Sequence, residues 1–143
     1  MSAFVSEYPD VVRAIVTDIG VVTDLTRAQV RAVRCKALWD TGAVYSVISN
    51  EFAQKLGLQE FDRGRNYTAQ GSYETSVYLV SIVLPNGMVV SDLRVSSGEF
   101  QDFDFLIGMD IISFGDFALT NKNNKSMFSF RFPSECHIDF KCL

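Results

Sequence analysis

The sequence predicts the all-β fold class, with mainly β structure and one or two short helices. Short apolar or alternating runs bounded by turn residues make up most of the chain, whereas the 3.6-residue repeat of a helix is scarce. The clearest local signal is Leu84–Met88, in which Asn86-Gly87 readily takes the positive φ angles of a tight hairpin turn between β-rich flanks. A length of 143 residues with 48% hydrophobic content suits one compact domain over residues 1–143.

Eight strands are predicted, and turn residues separate nearly all of them. Phe128, Phe130 and Phe132 alternate along the last strand and so share one face, which core packing explains. The predicted strands are Val11–Thr17, Val30–Trp39, Tyr67–Ala69, Tyr73–Leu84, Met88–Ser96, Phe105–Ile107, Phe117–Thr120 and Met127–Phe132.

Two short helices are predicted between these strands. Ser49 can cap a helix over Asn50–Leu56, whose apolar residues lie one turn apart on a single face and which Gly57 stops. A second helix is predicted over Asp110–Phe114, with Gly115 at its end.

Composition and charge restrict the partners and the location that are expected. Thirteen basic and seventeen acidic side chains give a formal net charge of −4 without a long block of either sign, so no nucleic-acid partner is expected. Residues 1–10 lack the basic start and apolar core of a secretory signal, and no apolar run is long enough to span a bilayer. The odd number of cysteines, without paired spacing, is typical of reduced thiols. We therefore expect a cytoplasmic protein without a membrane partner.

The most informative motif is a single Asp-Thr-Gly-Ala, which directly follows the apolar run Ala37–Trp39. The strand brings the chain out of the core, and Gly42 permits a sharp turn that residues with a Cβ would resist. Asp40 is thus held at a core edge, Thr41 offers a hydroxyl to nearby backbone groups, and Ala43 keeps the turn small. The simpler alternative is that Asp40 only caps its turn.

Together with Ser46–Ile48 and the later block Phe105–Asp110, this loop resembles the retropepsin-like aspartic proteases. In that family an Asp-Thr/Ser-Gly-Ala loop is followed, some tens of residues later, by two or three apolar residues, a glycine and a short helix. The resemblance covers roughly residues 10–132. Viral members carry arginine after the glycine, whereas Met109 stands here, as in cellular and bacterial relatives.

The resemblance implies a closed β barrel of the acid protease fold, in which two subunits meet and each contributes one catalytic Asp40. By the same analogy, Thr41 would interlock with the opposite loop, Gly42 would bind the substrate main chain, and Ala43 would line the site. Three residues of the later block would support the loop from behind: Leu106, Ile107 and Gly108.

The resemblance also implies a mobile hairpin, the flap, that covers an extended peptide. We expect it around Tyr67–Thr75, with a tip of small or flexible residues that can approach a substrate closely. An ordinary surface hairpin is the alternative. The expected tip residues are Ala69, Gln70, Gly71 and Ser72.

The function implied by the resemblance is that of a homodimeric aspartic endopeptidase, which hydrolyses extended or unfolded polypeptide without a metal or other cofactor. The alternative is a catalytically inactive retropepsin fold that serves as a dimerisation or peptide-binding module. His137 is the only histidine and lies in the tail, which makes a Ser-His or Cys-His nucleophile improbable. Its spacing from Cys136 and Cys142 fits no common zinc pattern.

The C-terminal tail, residues 133–143, lies beyond the resemblance. Ile138, Phe140 and Cys142 alternate, which is typical of one face of a strand. Such a strand either crosses to the second subunit, as terminal strands do in retropepsin dimers, or packs on its own subunit.

Overall fold

The computed structural model describes residues 2–23 and 31–142, and this part of the chain forms ten strands, two short α-helices and two 3₁₀ turns. The strands are β1 (Ala3–Glu7), β2 (Ile15–Val22), β3 (Ala32–Trp39), β4 (Val47–Ser49), β5 (Asp62–Thr68), β6 (Gly71–Val83), β7 (Val89–Gly98), β8 (Phe105–Ile107), β9 (Asp116–Thr120) and β10 (Met127–Arg131). The helices are α1 (Asn50–Lys55) and α2 (Met109–Ile112), and the 3₁₀ turns are Lys122–Asn124 and Phe140–Cys142. No helix of the described residues is both long and apolar enough to cross a membrane.

The larger sheet closes on itself. Its strands follow the order β2-β3-β8-β4-β7-β6-β5, and an additional pairing joins β2 to β6. Six strands therefore form a ring, and β5 is attached outside it through β6 alone. This mainly β architecture with two short helices confirms the predicted fold class.

Alternating burial along a strand of the ring shows which of its side chains point into the interior. Along β2, the residues Ile15, Thr17, Ile19 and Val21 are all buried, whereas the residues between them are partly exposed. Because one face is apolar, a shift of register by one residue would turn that face towards solvent.

A second sheet, of order β1-β10-β9, packs against the end of β3. Phe4 of β1 and Phe128 and Phe130 of β10 surround Trp39, with ring centroids 4.9–5.8 Å from that of the indole. The buried indole N–H donates to the hydroxyl of Thr17 at 2.8 Å, so this polar group is satisfied within the core. The aromatic cluster fixes the position of the residue directly before Asp40.

Two strands differ markedly from the prediction. β1 was not predicted, and β2 spans Ile15–Val22 where Val11–Thr17 was expected. Asp18 and Gly20 interrupt the apolar pattern of β2, yet both suit its neighbours. Asp18 forms ion pairs with two basic residues of β3, and a Cβ on Gly20 would lie 2.7 Å from the Cβ of Ala32.

The first strand of the hairpin formed by β5 and β6 also differs from its prediction. The prediction Tyr67–Ala69 is wrong in extent, because β5 runs over Asp62–Thr68 and Ala69 lies in the turn. β5 is polar in sequence and pairs with β6 along its whole length, so no apolar alternation marks it.

β4 is not one of the eight predicted strands, and the other remaining elements lie close to their predicted positions. β8 coincides with its prediction, and the start expected for β3 at Val30 lies outside the described residues. The Ser49 side chain accepts a hydrogen bond from the Phe52 N–H, as expected of the cap of α1. α2 begins and ends earlier than the predicted Asp110–Phe114.

The tail does not form a strand on its own subunit. Within residues 133–142 the chain is irregular up to the 3₁₀ turn Phe140–Cys142. Pro133 has no N–H with which to continue the ladder of β10, and the next two residues bind the carboxylate of Asp116. The crossing of this segment to a second subunit stays a prediction, as does the extent of the domain.

Candidate active site

The tertiary structure brings the Asp40 loop and the block after Phe105 side by side. β3 and β8 are parallel, with Leu38 opposite Leu106 and Trp39 opposite Ile107. At the end of this pairing, the Asp40 N–H donates to the Ile107 carbonyl at 2.8 Å. Leu106 and Ile107 thus lie directly behind the loop, where the resemblance implies support.

Asp40 is half-buried at the start of a tight turn. Its Oδ1 accepts a hydrogen bond from the Gly42 N–H at 2.8 Å, and its carbonyl accepts one from the Ala43 N–H at 3.2 Å. The carboxylate therefore does cap its own turn, as the simpler alternative proposed. This bond also orients the side chain, and within the described residues the second carboxylate oxygen, Oδ2, has no hydrogen-bond partner. Capping and a chemical role are thus compatible.

A buried network fixes the far end of the loop. The Ser46 hydroxyl, which is fully buried, donates to Asp110 Oδ1 at 2.7 Å and accepts from the Gly108 N–H at 3.0 Å. The Ser46 N–H donates to Asp110 Oδ2 at 3.0 Å. One carboxylate thus joins the end of the loop to α2. The sequence predicts no role at the site for Ser46 or Asp110, because only folding brings two positions so far apart in sequence into contact.

Gly108 lies where the two blocks approach most closely. A Cβ on Gly108 would be 2.8 Å from the carbonyl carbon and oxygen of Tyr45 and 2.9 Å from the carbonyl oxygen of Ala43. The N–H groups that follow donate to the same stretch, from Met109 to Ala43 at 2.8 Å and from Asp110 to Val44 at 3.1 Å. Only glycine allows this contact of backbone with backbone.

A groove of about 450 Å³ opens beside Asp40. It is lined by residues 12–15, the end of β3, Asp40 and Thr41, and by Phe117 and Leu119 of β9. Asp40 is the only acidic residue and Arg13 the only basic residue among them. The chain therefore presents a single carboxylate in a largely apolar groove.

The four residues expected at the flap tip do lie at the end of the hairpin formed by β5 and β6, away from the groove at Asp40. Ala69 and Gln70 form its turn, and Gly71 and Ser72 begin β6 opposite the end of β5. Gly71 has φ of 130°, a conformation that favours glycine. These four residues are exposed and do not line the groove at Asp40. The hairpin exists as predicted, and its role as a flap stays a prediction.

The described residues give little support to a metal site or to a cysteine or histidine nucleophile. No three histidine, cysteine or acidic side chains in residues 2–23 and 31–142 come close enough to hold a metal ion. Burial, reinforced by the nearby charges of Asp104 and Asp18, raises the pKa of the Cys35 thiol to about 12, so this thiol stays protonated at neutral pH. His137 is exposed in the tail.

The model of the gag-polyprotein putative aspartyl protease family matches residues 26–113. The chain belongs to this family. The match includes the Asp40 loop and the block from Phe105 to the end of α2, whereas β9, β10 and the tail follow it. No curated protein sequence matches the chain.

Solved structures show the same fold. A retropepsin-like aspartic protease from Rickettsia conorii superposes with a TM-score of 0.55 at 20% identity, covering 90% of this chain and 93% of that one. The retroviral protease-like domain of Ddi1 from Leishmania major superposes with a TM-score of 0.50 at 20% identity, covering 82% and 94% of the two chains. The retropepsin-like fold is thereby established for this gag-type aspartyl protease family member.

Proposed function

We propose that this protein is an aspartic endopeptidase that acts as a homodimer, with Asp40 of each subunit forming the catalytic pair. The observation that carries the proposal is the single, oriented and half-buried Asp40 carboxylate, held by the Gly42 N–H on a loop that is anchored at both ends. One such carboxylate is half of the site that this chemistry needs.

Two carboxylates within hydrogen-bond reach of each other share one proton over a broad acidic to near-neutral range, as is known for aspartic proteases in general. The ionised carboxylate takes a proton from the attacking water, while the protonated one polarises the peptide carbonyl. The resulting diol collapses, the C–N bond breaks, and the leaving nitrogen receives a proton. The products are a new carboxyl group and a new amine.

The groove beside Asp40 suggests where the second subunit docks. Within the described residues β9 pairs only with β10, so its other edge is open. Phe117 and Leu119 of this strand line the same groove as Asp40 and Thr41. A second copy docked along this edge would bring its own Asp40 loop towards the first.

The proposed substrate is an extended or unfolded polypeptide. An extended peptide can form strand-like main-chain hydrogen bonds, and the exposed hairpin of β5 and β6 is suited to close over it. A folded protein would present few segments in that conformation.

The decisive variant is Asp40→Asn, assayed with a library of unstructured peptides from pH 4 to 8. We expect cleavage to be lost, because an amide pair cannot activate water. Asp102→Asn is the matched control, since Asp102 is exposed and has φ of 74°, which asparagine tolerates. Unchanged cleavage by Asp40→Asn would show that the assignment is wrong.

The mass in solution, measured together with peptide cleavage, distinguishes the homodimeric endopeptidase from an inactive peptide-binding module. An active protein of dimer mass supports the endopeptidase. A dimer that binds peptides and leaves them intact at every pH would instead identify the peptide-binding module. A protein that stays monomeric under all conditions, yet cleaves peptides, would rule out the shared catalytic pair.

A further inference from the structure

The hairpin of β5 and β6 leaves the barrel at a defined point. Towards the tip, the last pair between β6 and β7 is Val77 with Ser96. Beyond it, residues 71–76 of β6 pair only with β5, and β5 has no other neighbour among the described strands. The projecting hairpin, residues 62–76, is therefore held at its base by the contacts made at this junction and by the ion pair between Asp62 and Arg94 of β7 at 2.9 Å.

Two buried hydroxyl groups lie at that junction. Thr75 and Ser97 are 5% and 7% exposed, whereas residues 69–74 are exposed throughout. The Thr75 hydroxyl donates to the Ser97 carbonyl at 2.6 Å, and the two hydroxyl oxygens are 2.8 Å apart. Because Thr75 uses its one proton on the carbonyl, the Ser97 hydroxyl donates to the Thr75 oxygen. Two hydrogen bonds thus continue the attachment just where the backbone ladder has ended.

The residue opposite Thr75 makes room for this arrangement. Gly64 pairs with Thr75 across the hairpin, so a side chain on Gly64 would lie on the same face. A Cβ there would already be 3.0 Å from a methyl group of Val77. The absence of a side chain on Gly64 therefore leaves room for Val77 on the face of the hairpin that carries Thr75.

We propose that the hydroxyl pair of Thr75 and Ser97 is the hinge latch of the flap, which fixes where the hairpin bends and restrains its opening over a bound peptide. The proposal rests on the proposed function in one respect, namely that the hairpin closes over a peptide. Thr75 is a positioning residue, because it acts through the hairpin and does not touch the reacting atoms.

The latch is attached to the strands that carry the candidate active site. Ser97 pairs with Ile48 of β4, and Ile48 in turn pairs with Phe105 of β8. β4 follows the Asp40 loop, and β8 lies beside the strand that leads into it. The two hydroxyl groups therefore hold the hairpin to the same framework that positions Asp40.

The test compares amide hydrogen exchange at the junction, residues 75–77 and 96–98, in three variants without substrate. Thr75→Val keeps the shape and removes both hydrogen bonds, so we expect about ten-fold faster exchange there. Ser97→Ala removes one bond and should give about three-fold faster exchange. Thr75→Ser restores the hydroxyl and should return exchange towards that of the unmodified protein.

Ser81→Ala is the matched control. Ser81 is a buried hydroxyl of the same strand, 4% exposed, and it binds the Asp92 N–H at 3.2 Å, away from the junction. We expect this variant to leave exchange at residues 75–77 and 96–98 unchanged. Unaltered junction exchange in Thr75→Val would overturn the latch, and so would equally faster exchange across β2 and β3, because the pair would then only support the barrel.

A kinetic measurement connects the latch to catalysis. In Thr75→Val we expect KM to rise about five-fold with little change in kcat, because closing a looser hairpin makes substrate binding less favourable. A fall in kcat at constant KM would contradict this role. If the protein proves inactive, Asp40→Asn and the peptide assay decide the function, while the exchange data still decide the latch.

Discussion

Ser46 shows how a residue outside the Asp-Thr-Gly-Ala motif holds the candidate catalytic loop. Its hydroxyl and its N–H bind both oxygens of the Asp110 carboxylate, and the same hydroxyl accepts the Gly108 N–H. Burial makes these bonds costly to break, since no water replaces a lost partner. The sequence supplies serine and aspartate at suitable places, but their contact depends on the packing of α2 against the loop.

We expect Ser46→Ala to lower the free energy of unfolding by about 2 kcal/mol, because it leaves a buried N–H and a carboxylate oxygen unpaired. Urea unfolding at one fixed protein concentration measures the change. Ser113→Ala, at an exposed serine just after α2, is the control. Equal urea midpoints for the two variants would contradict the proposed role of the network.

At the scale of elements, Asp116 at the start of β9 holds the C-terminal tail. Its carboxylate accepts hydrogen bonds from the Ser134 hydroxyl at 2.5 Å and from the Glu135 N–H at 2.8 Å, and it forms an ion pair with Arg131. These hydrogen bonds, first of all the one from Ser134, and the Arg131 charge hold the pKa of Asp116 well below its usual range. The sequence showed alternation in the tail but not this anchor.

The lowered pKa of Asp116 gives the attachment of the tail a pH dependence. A carboxyl group with a depressed folded-state pKa contributes fully above its unfolded value of about 4, and its contribution is lost as the pH falls through the folded value. We expect residues 133–142 to stay attached at neutral pH and to loosen only in strong acid.

Asp116→Asn should loosen the tail already at pH 7, with faster cleavage of residues 133–142 by an added protease, followed by mass spectrometry. Asp18→Asn is the control, since Asp18 is also ion-paired and has a lowered pKa but lies in β2. Identical cleavage of the two variants would show that Asp116 is not the anchor.

For the whole molecule, the edges of the described strands bear on how two copies would meet. β1, β5 and β9 each have an open edge among these strands, and β9 is the one that borders the groove at Asp40. A dimer strand in the tail stays a prediction, and β9 (Asp116–Thr120), which borders the groove at Asp40, is a second candidate for such a strand. An open strand edge beside the groove at Asp40 is suited to the pairing with a second copy that we propose.

We therefore expect Leu119→Lys to shift the protein from dimer towards monomer and to reduce cleavage in parallel, because a buried ammonium group weakens an apolar interface. Analytical ultracentrifugation over a range of concentrations measures the shift. Leu93→Lys is the matched control, because Leu93 of β7 is likewise a partly buried leucine packed against the core but does not line this groove, and it should leave the mass unchanged. If Leu119→Lys remains as dimeric as Leu93→Lys, the second copy docks elsewhere.

Most strands could be predicted because they are short apolar runs between turn residues, as β8 and β10 are. β1 and β5 were missed or cut short for one physical reason. The polar hairpin of β5 is stabilised by pairing with β6, and β1 by pairing with β10, so neither carries a clear apolar alternation of its own. The location in the cytoplasm stays a prediction from composition.

The sequence by itself determined the fold class, the Asp40 loop and the supporting block after Phe105, because these depend on local patterns and on a specific order of motifs. Only the tertiary structure decided which contacts hold the loop, the β5–β6 hairpin and the tail in place. The contact of Ser46 with Asp110, the latch of Thr75 with Ser97 and the anchoring of the tail at Asp116 each join residues distant in the chain. Such contacts arise when packing excludes water and leaves polar groups to satisfy one another, which no local pattern records.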